Sequence, residues 1–451
     1  MTPPTDPFDS PGAAPRRRIA ILGAGPVGLD AALAARSAGY LVRVYEAGAR
    51  PATHVRQWGH VRLFSPWSMN LSHRMRSGLL SLGVPLDVDD DASPTGHELA
   101  DRVLDPLWGS PLLEGALRIG TRVVAVGRQG TLKHEEIGSE ARSRRPFRIL
   151  LRARTGIERT DYADLVIDCT GKFGNPNTLG DGGIPAPGEQ SLEDRIDRWL
   201  PDLDREAERW SGGTILLVGG GHSAQTAVRE LDRLARQAPG TRVVWALRAG
   251  DPSLGFDPDD PLPLRRELMR EASEMARGAS PRVDPELGVV VDALAPAGEG
   301  VKVRLRRDDG GAREVEADRV LALTGGVGDA GLYRQLQVHE CYATLGPMKL
   351  SAALLGSAGG DCLDQESHGV ETLLNPEPGF FILGDKSYGR NNTFLLQVGW
   401  SQVDEVFGAL GPAVPAGSGV TDGSQDDHAT PVGDGTPVGD GTPMAERSAT
   451  P

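Results

Sequence analysis

The stretch RIAILGAGPVGLDAALAARSAGYLVRVYE, residues 18–46, is the most informative part of the sequence about the fold. Its opening apolar run predicts a buried strand, and Gly23, Gly25 and Gly28 follow with the spacing GxGxxG, which gives a tight turn that a pyrophosphate can approach. The helix that begins after this turn offers free N–H groups and a partial positive charge to phosphates. Glu46 ends the next strand, where a carboxylate accepts hydrogen bonds from a ribose 2′-hydroxyl. Strand, turn, helix, strand and acid in this order predict a dinucleotide-binding unit.

A second unit of the same plan, TILLVGGGHSAQTAVRELDRLARQAPGTRVVWALR, covers residues 214–248. Its last strand ends in Arg248 instead of an acid. A carboxylate would repel a ribose 2′-phosphate, whereas an arginine binds it through charge-assisted hydrogen bonds, so the pattern favours NADPH over NADH. An ordinary solvated arginine is the alternative reading. The predicted nucleotide ligands of this unit are Gly219, Gly221, Ser223, Ala224 and Arg248.

The two units belong to a weak internal duplication. Each half closes on nearly the same phrase, ADLVIDCTG at 163–171 and ADRVLALTG at 317–325. The pattern after the second phrase predicts a buried strand, an acid at Asp385 and an amphipathic helix, within GFFILGDKSYGRNNTFLLQVGWSQVDEVFGAL at 379–410. Asp385 is placed to bond the ribityl or phosphate-side hydroxyls of a flavin. We therefore predict an α/β protein with two Rossmann-like, three-layer β/β/α nucleotide-binding domains, the second inserted in the first.

Composition excludes several classes of function. The 451 residues hold 48 Lys and Arg against 62 Asp and Glu, a formal charge of −14, which disfavours nucleic acid or an anionic membrane as the main partner. No apolar run approaches the roughly 20 residues that cross a bilayer. The three cysteines are too few for a disulfide scaffold, and the histidines lack metal-ligand spacing, so no metal site is predicted. The expectation is a cytoplasmic protein.

With these motifs in this order, residues 17–411 resemble the two-dinucleotide-binding-domain flavoproteins, a superfamily that includes flavin-containing monooxygenases and thioredoxin reductase-like enzymes. The resemblance implies FAD held by Gly23, Gly25, Gly28, Glu46 and Asp385, and NADPH held by the second unit. The predicted organisation is a flexible arm (1–15), a first FAD-binding part (16–205), an NAD(P)H-binding domain (206–334), a second FAD-binding part (335–411) and a disordered tail (412–451) that repeats TPVGDG.

The sequence leaves the branch of the superfamily open. Thioredoxin reductase-like enzymes need two neighbouring cysteines, but Cys341 and Cys362 lie 21 residues apart. They could meet in space as a redox pair, or they could be two small buried hydrophobic residues without a redox role. The motif FxGxxxHxxx(F/Y) that flavin-containing monooxygenases carry before the second turn is absent, and LGDGGIPAPGEQ (179–190) stands in its place.

The segment RQWGHVRLFSPWSMNLS, residues 56–72, favours oxygen chemistry. In the monooxygenases that the chain resembles, an aromatic-rich segment here leads to the flavin face, with an Asn near the reactive carbon. The resemblance thus assigns the segment with Trp58 to the flavin pocket, and Asn70 to a catalytic role. As a hypothesis from their chemistry, Arg62 or Asn70 donates a hydrogen bond to activated oxygen. Core packing is the alternative for Trp58 and Trp67.

The leading functional prediction is an FAD-dependent NAD(P)H monooxygenase, in which NADPH reduces FAD and O₂ is then activated on a small organic substrate. The first alternative is an NAD(P)H-dependent flavoprotein reductase of a quinone, a disulfide or a redox protein. The second alternative is a nucleotide sensor without turnover.

Overall fold

The computed structural model describes residues 17–356 and 367–413. The predicted arm (1–15), Cys362 and nearly all of the predicted tail lie outside the described residues. In chain order the strands are β1 (Arg18–Leu22), β2 (Leu41–Tyr45), β3 (Leu117–Arg118), β4 (Thr121–Arg128), β5 (Phe147–Ala153), β6 (Glu158–Ala163), β7 (Leu165–Asp168), β8 (Ile196–Asp197), β9 (Thr214–Val218), β10 (Arg242–Leu247), β11 (Val283–Leu287), β12 (Val289–Ala297), β13 (Gly300–Arg307), β14 (Ala312–Ala317), β15 (Arg319–Ala322) and β16 (Phe380–Ile382).

The α-helices in chain order are α1 (Pro26–Ser37), α2 (Thr53–Gln57), α3 (Trp67–Asn70), α4 (His73–Ser81), α5 (Gly96–Leu99), α6 (Asp105–Trp108), α7 (Glu140–Ser143), α8 (Ala207–Trp210), α9 (His222–Gln237), α10 (Pro263–Ala276), α11 (Met348–Gly356), α12 (Val370–Leu373) and α13 (Leu396–Leu410). A π-helical turn, Ala100–Leu104, joins α5 to α6. Short 3₁₀ turns cover Pro111–Leu113, Asp181–Gly183, Gln190–Arg195, Gly331–Tyr333 and Gly384–Tyr388.

Two parallel five-stranded sheets organise these elements. The first has the order β16-β7-β1-β2-β3 and the second the order β11-β10-β9-β15-β8. Every pairing within them is parallel. Because β16 follows the second sheet in the chain and yet joins the first, the second domain is inserted in the first. The predicted α/β fold with two Rossmann-like domains is confirmed.

Each parallel sheet lies between helices and a small antiparallel sheet. In β1, Ile19 and Ile21 face the core with α1 and α13, while Ala20 and Leu22 face the core with β5. This division follows from the alternation of side chains along a strand. The antiparallel sheets are β4-β5-β6 in the first domain and β12-β13-β14 in the second. The strands of parallel sheets read as continuous apolar runs because both faces are buried.

The carboxyl ends of parallel strands meet at one edge of each sheet, and the predicted sites lie at these edges. The first glycine turn joins β1 to α1, and the second joins β9 to α9. Within the two described ranges, no helix combines the length and the apolar character that a membrane span requires.

Candidate dinucleotide-binding sites

The first glycine turn divides its glycines between packing and open space. Gly23 has φ +95°, and a Cβ placed on it would lie 2.7 Å from the carbonyl oxygen of Cys169. A Cβ on Gly28 would lie 2.1 Å from the carbonyl oxygen of Gly23, whereas a Cβ on Gly25 would meet nothing within 4 Å. Packing therefore requires glycine at positions 23 and 28, whereas Gly25 faces space that a ligand can enter.

The second glycine turn repeats this geometry. Gly219 has φ +133°, and a Cβ on it would lie 2.2 Å from the carbonyl oxygen of Leu323, while a Cβ on Gly221 would meet nothing within 4 Å. Cys169 and Leu323 are both the seventh residue of the two repeated phrases. The internal duplication thus has a structural meaning, because each phrase brings a strand end against the first glycine of its turn.

Both helices that follow the turns begin without side-chain caps. The N-cap residues are Gly25 for α1 and Gly221 for α9, and neither helix carries an acid in its first turn. Uncapped N–H groups at a helix N-terminus bind anions, and the helix dipole adds to that attraction. Each turn therefore suits a phosphate-bearing ligand.

Glu46 lies beside the first turn, as its position in the sequence predicts. Its carboxylate accepts hydrogen bonds from the backbone N–H of Ala24 at 3.0 Å and of Gly48 at 2.7 Å. A carboxylate offers about four acceptor positions, so two remain for hydroxyl groups of a ligand. The backbone bonds fix the orientation of the carboxylate at the end of β2.

Asp385 lies in a cleft and pairs with a lysine. Its carboxylate is 2.6 Å from Nζ of Lys172, which also donates to the carbonyl oxygens of Gly389 at 3.0 Å and Asn391 at 3.1 Å. The Asp385 side chain is 42% exposed, yet desolvation by the surrounding protein raises the pKa of this carboxyl. A side chain that is both accessible and crowded by protein lies in a concave cleft, which is the geometry of a ligand site.

A buried ion pair holds the turn that carries Asp385. Nζ of Lys386 is 2.6 Å from Oδ2 of Asp168 at the end of β7, and both side chains are at most 2% exposed. The same ammonium donates to the carbonyl oxygen of Asp329 at 2.8 Å, on the segment that returns from the second domain. This lysine thus joins β7, the returning segment and the Asp385 turn.

Tyr388, at the end of the same turn, has an unpaired polar atom. Its side chain is buried, and its hydroxyl has no hydrogen-bond partner among the described residues. A buried hydroxyl without a partner costs free energy, which a bound acceptor recovers. This hydroxyl and the open space at Gly25 fit FAD, which combines a pyrophosphate with many acceptor atoms.

The segment 56–72 reaches the second glycine turn. The ring of Phe64 contacts the ring of His222 edge-on, with 5.4 Å between centroids. His222 is the first residue of α9, and burial lowers its pKa. Arg248 directly follows β10 and is exposed, and within the described parts of the chain its side chain has no hydrogen bond or ion pair.

The three predicted residues of this segment, Asn70, Arg62 and Trp58, have protein partners. Asn70 is 1% exposed, and its amide donates to the carbonyl oxygens of Ser65 at 2.8 Å and Pro66 at 2.9 Å. Arg62 is exposed and lies 3.8 Å from Glu98. Trp58 is half-buried against α5, where a Cβ on Gly96 would clash with its ring. Their roles toward a flavin stay predictions.

The described cysteines have contrasting surroundings. Cys169 packs beneath the first glycine turn, and burial raises its pKa. Cys341 is buried, and hydrogen bonds from Thr344 lower its pKa. The described residues contain no group of three or more metal-ligating side chains.

Lys172, Lys386 and Tyr388 are candidate site residues that the sequence motifs did not indicate. Lys172 directly follows the first repeated phrase, Lys386 directly follows Asp385, and Tyr388 comes three residues after Asp385 in GDKSYG. Their nearness in the sequence to the predicted residues is the signal that could have identified them.

No protein-family model matches the sequence, and a search of curated proteins finds no match. Solved structures do match over the length of the chain. Bacillithiol disulfide reductase Bdr (YpdA) from Bacillus cereus is 18% identical with a TM-score of 0.61, covering 88% of this chain and 99% of that one. Ornithine N-hydroxylase KtzI from Kutzneria sp. 744, in a complex with reduced FAD, NADP⁺ and L-ornithine, is 15% identical with a TM-score of 0.57, covering 88% and 99%.

Ornithine hydroxylase PvdA from Pseudomonas aeruginosa is 17% identical with a TM-score of 0.55, covering 87% of this chain and 98% of that one. Reductases and hydroxylases thus match over nearly the same share of the chain, so the likeness bears on the fold and not on the branch. The chain has the fold of the two-dinucleotide-binding-domain flavoprotein superfamily, as the sequence resemblance predicted.

Proposed function

We propose that this protein is an FAD-dependent NAD(P)H oxidoreductase, with FAD at the first glycine turn and NADPH at the second. The observation that carries the proposal is the repeated turn geometry. In each turn the first glycine is packed against a strand end, the second faces open space, and an uncapped helix begins there. Two such turns at the carboxyl edges of two sheets provide for two dinucleotides.

Bound FAD would supply the redox chemistry by accepting a hydride from a nicotinamide and passing two electrons to an acceptor. The chain binds and orients the two cofactors. The N–H groups at the start of α1 bind the FAD pyrophosphate, Glu46 accepts from ribose hydroxyls, and Asp385 accepts from the ribityl side. At the second turn, α9 binds the other pyrophosphate and Arg248 binds the 2′-phosphate.

The experiment that tests this proposal is spectroscopic. The purified protein, supplied with FAD, should show the two-band absorption of oxidised flavin, and NADPH without oxygen should bleach it. Flavin that binds but is bleached by neither NADPH nor NADH would favour a nucleotide sensor. Absence of flavin binding would refute the proposal.

Within this class, we propose oxygenation of a small organic substrate as the activity. The support is the contact of Phe64 with His222, which brings segment 56–72 to the start of α9 at the second glycine turn. A substrate held there is shielded from water by Phe64 and its neighbours. Arg62 and Asn70 remain the proposed donors to activated oxygen.

Primary amines are suitable first substrates, because ornithine hydroxylases and a cadaverine monooxygenase are among the matching structures. The test measures NADPH oxidation, O₂ uptake and hydroxylated product with ornithine and cadaverine. Amine-dependent product formed in step with NADPH oxidation supports oxygenation. Oxidation of NADPH that yields only hydrogen peroxide with every amine would count against these substrates.

A specific observation favours reduction of a disulfide as the second candidate. The Cys341 thiol lies among hydrogen-bond donors that lower its pKa, and a thiolate is the nucleophile in thiol–disulfide exchange. If this candidate is right, NADPH oxidation without oxygen should respond to small disulfides, and Cys341→Ser should abolish that response. An oxygenase would keep its activity in the same variant.

A further inference from the structure

The turn after β16 satisfies nearly all of its polar groups within the protein. The Gly384 N–H donates to Oε1 of Gln402 at 2.8 Å, and the amide of Gln402 donates to the Ser387 hydroxyl at 2.9 Å. The Ser387 hydroxyl in turn donates to the carbonyl oxygen of Gly384 at 2.7 Å. Lys386 is held by Asp168. Buried polar groups in proteins are usually hydrogen-bonded in this way.

The Tyr388 hydroxyl is the exception within this turn. The residue is 1% exposed, and its hydroxyl has no hydrogen-bond partner in the described parts of the chain. The ring itself is well packed, with Phe394 edge-on at 5.3 Å between centroids. Burial raises the pKa of Tyr388 to about 12, so the phenol stays protonated and acts as a donor at neutral pH.

Packing places this turn against the start of α1. A Cβ on Gly384 would lie 3.2 Å from the Val27 side chain, and Val27 is the second residue of α1. A Cβ on Gly399 of α13 would lie 2.8 Å from Val27 and 3.1 Å from Phe394. Tyr388, Phe394 and the first turn of α1 therefore form one continuous packed cluster beside the predicted FAD site.

The turn is also held rigidly in position. Gly389, directly after Tyr388, has φ +55°, and a Cβ on it would lie 2.1 Å from the carbonyl oxygen of Thr344. The backbone on both sides of Tyr388 is thus fixed by close contacts. A preorganised donor of this kind contributes to binding without the entropic cost of ordering a side chain.

We infer that the Tyr388 hydroxyl donates a hydrogen bond to an acceptor atom of the bound flavin, and that Tyr388 is a flavin-binding residue. The inference rests on the proposed FAD site and adds a residue to it. The unpaired hydroxyl lowers the stability of the flavin-free protein, and flavin binding supplies the missing hydrogen-bond acceptor.

The test compares Tyr388→Phe with Tyr40→Phe, a matched control. Each change removes one buried phenol hydroxyl, but the Tyr40 hydroxyl already donates to the carbonyl oxygen of Gly411 at 3.2 Å. Titration of flavin-free protein with FAD gives the dissociation constant, and thermal unfolding of the flavin-free protein gives its stability.

For Tyr388→Phe we expect the FAD dissociation constant to rise about threefold to tenfold, the value of one neutral hydrogen bond. The flavin-free variant should unfold at the same temperature as the parent or higher, and the absorption bands of bound flavin should shift. Tyr40→Phe should lower the unfolding temperature and leave FAD affinity unchanged. Unchanged FAD affinity in Tyr388→Phe overturns the inference, as does a lower unfolding temperature of its flavin-free form. Failure of the parent protein to bind FAD refutes the proposed function instead, so the two failures are distinguishable.

Discussion

At Gly25 and at Gly221, an added methyl group should impair ligand binding without impairing folding. Their φ angles of −77° and −76° are open to alanine, and a Cβ at either position meets no atom within 4 Å. Gly25→Ala should therefore leave the flavin-free protein as stable as the parent and raise the FAD dissociation constant at least tenfold. Gly221→Ala should keep FAD and lose reduction by NADPH.

Gly28→Ala is the contrasting variant at the same turn. Its Cβ would lie 2.1 Å from the carbonyl oxygen of Gly23, so this change should lower the unfolding temperature of the flavin-free protein. Equal FAD affinity in Gly25→Ala and the parent would remove the pyrophosphate from the first turn. Thermal unfolding and FAD titration of the three variants provide the comparison.

A separate prediction concerns Arg248 and the preference for NADPH over NADH. Replacing it with alanine should raise the KM for NADPH about tenfold or more, since charge-assisted bonds to the 2′-phosphate are lost, and should change the KM for NADH little. Arg242→Ala is the control, because Arg242 is exposed at the opposite end of β10. Similar effects of Arg248→Ala on the KM for NADPH and for NADH would show that this arginine does not bind the 2′-phosphate.

At the scale of elements, the turn after β16 depends on the ion pair between Lys386 and Asp168. Lys386→Met leaves the Asp168 carboxylate buried without its partner, which should lower the free energy of unfolding by about 3 to 5 kcal/mol. FAD affinity should fall as well, because Asp385 loses its fixed position.

Adding Asp168→Asn to Lys386→Met removes the stranded charge, so we expect part of the lost stability to return. Lys302→Met is the control. Lys302 is 38% exposed and pairs with Glu316 on the surface, so its loss should cost about 1 kcal/mol or less. Denaturant unfolding measures all four proteins, and equal effects at Lys386 and Lys302 would contradict the structural role of the buried pair.

The elements also show how far sequence reasoning extends. The two glycine turns were predictable because the motif, the strand before it and the helix after it lie within one short stretch of chain. The unsatisfied hydroxyl of Tyr388 and the pairing of Lys172 with Asp385 were not. Lys172 and Asp385 lie 213 residues apart, and only the approach of two strand ends brings them together.

The segment 56–72 shows the same division. The resemblance predicted that this segment leads to the flavin face, which stays a prediction, whereas the contact that the structure shows joins Phe64 to His222 at the second turn. The bonds of Asn70 to Ser65 and Pro66 depend on the exact path of a short loop, which residue pattern does not determine.

At the scale of the whole molecule, a buried arginine–glutamate–arginine cluster joins the sheet β4-β5-β6 to the chain that leads into β16. Glu377 is fully buried, with Arg128 and Arg142 each 2.7 Å away. Its pKa has opposing influences, since desolvation raises it, but the two guanidinium groups and the Gln337 N–H bring it below the ordinary value of 4.5.

A carboxyl with a depressed folded-state pKa contributes stability above its unfolded pKa and loses it as pH falls through the folded value. Acid should therefore reduce the free energy of unfolding from about pH 4.5 downward, and Glu377→Gln should flatten this part of the profile. At neutral pH the variant should be about 3 to 5 kcal/mol less stable.

Glu158→Gln is the control for the cluster, because Glu158 is 43% exposed in its surface pair with Arg152 on the same small sheet. Its loss should cost about 1 kcal/mol or less and leave the acid profile unchanged. Denaturant unfolding between pH 3 and 7 is the measurement, and parallel profiles for the parent and Glu377→Gln would exclude a contribution of this carboxyl to acid unfolding.

Anaerobic titration of the FAD-loaded protein with NADPH measures whether electrons pass between the two proposed dinucleotides. We predict that about one equivalent of NADPH bleaches the flavin absorption, and that Gly221→Ala keeps the same flavin spectrum but resists bleaching. Flavin in the parent protein that stays oxidised with excess NADPH and NADH would contradict an oxidoreductase. Unimpaired bleaching in Gly221→Ala would contradict the assignment of the second turn to the nicotinamide.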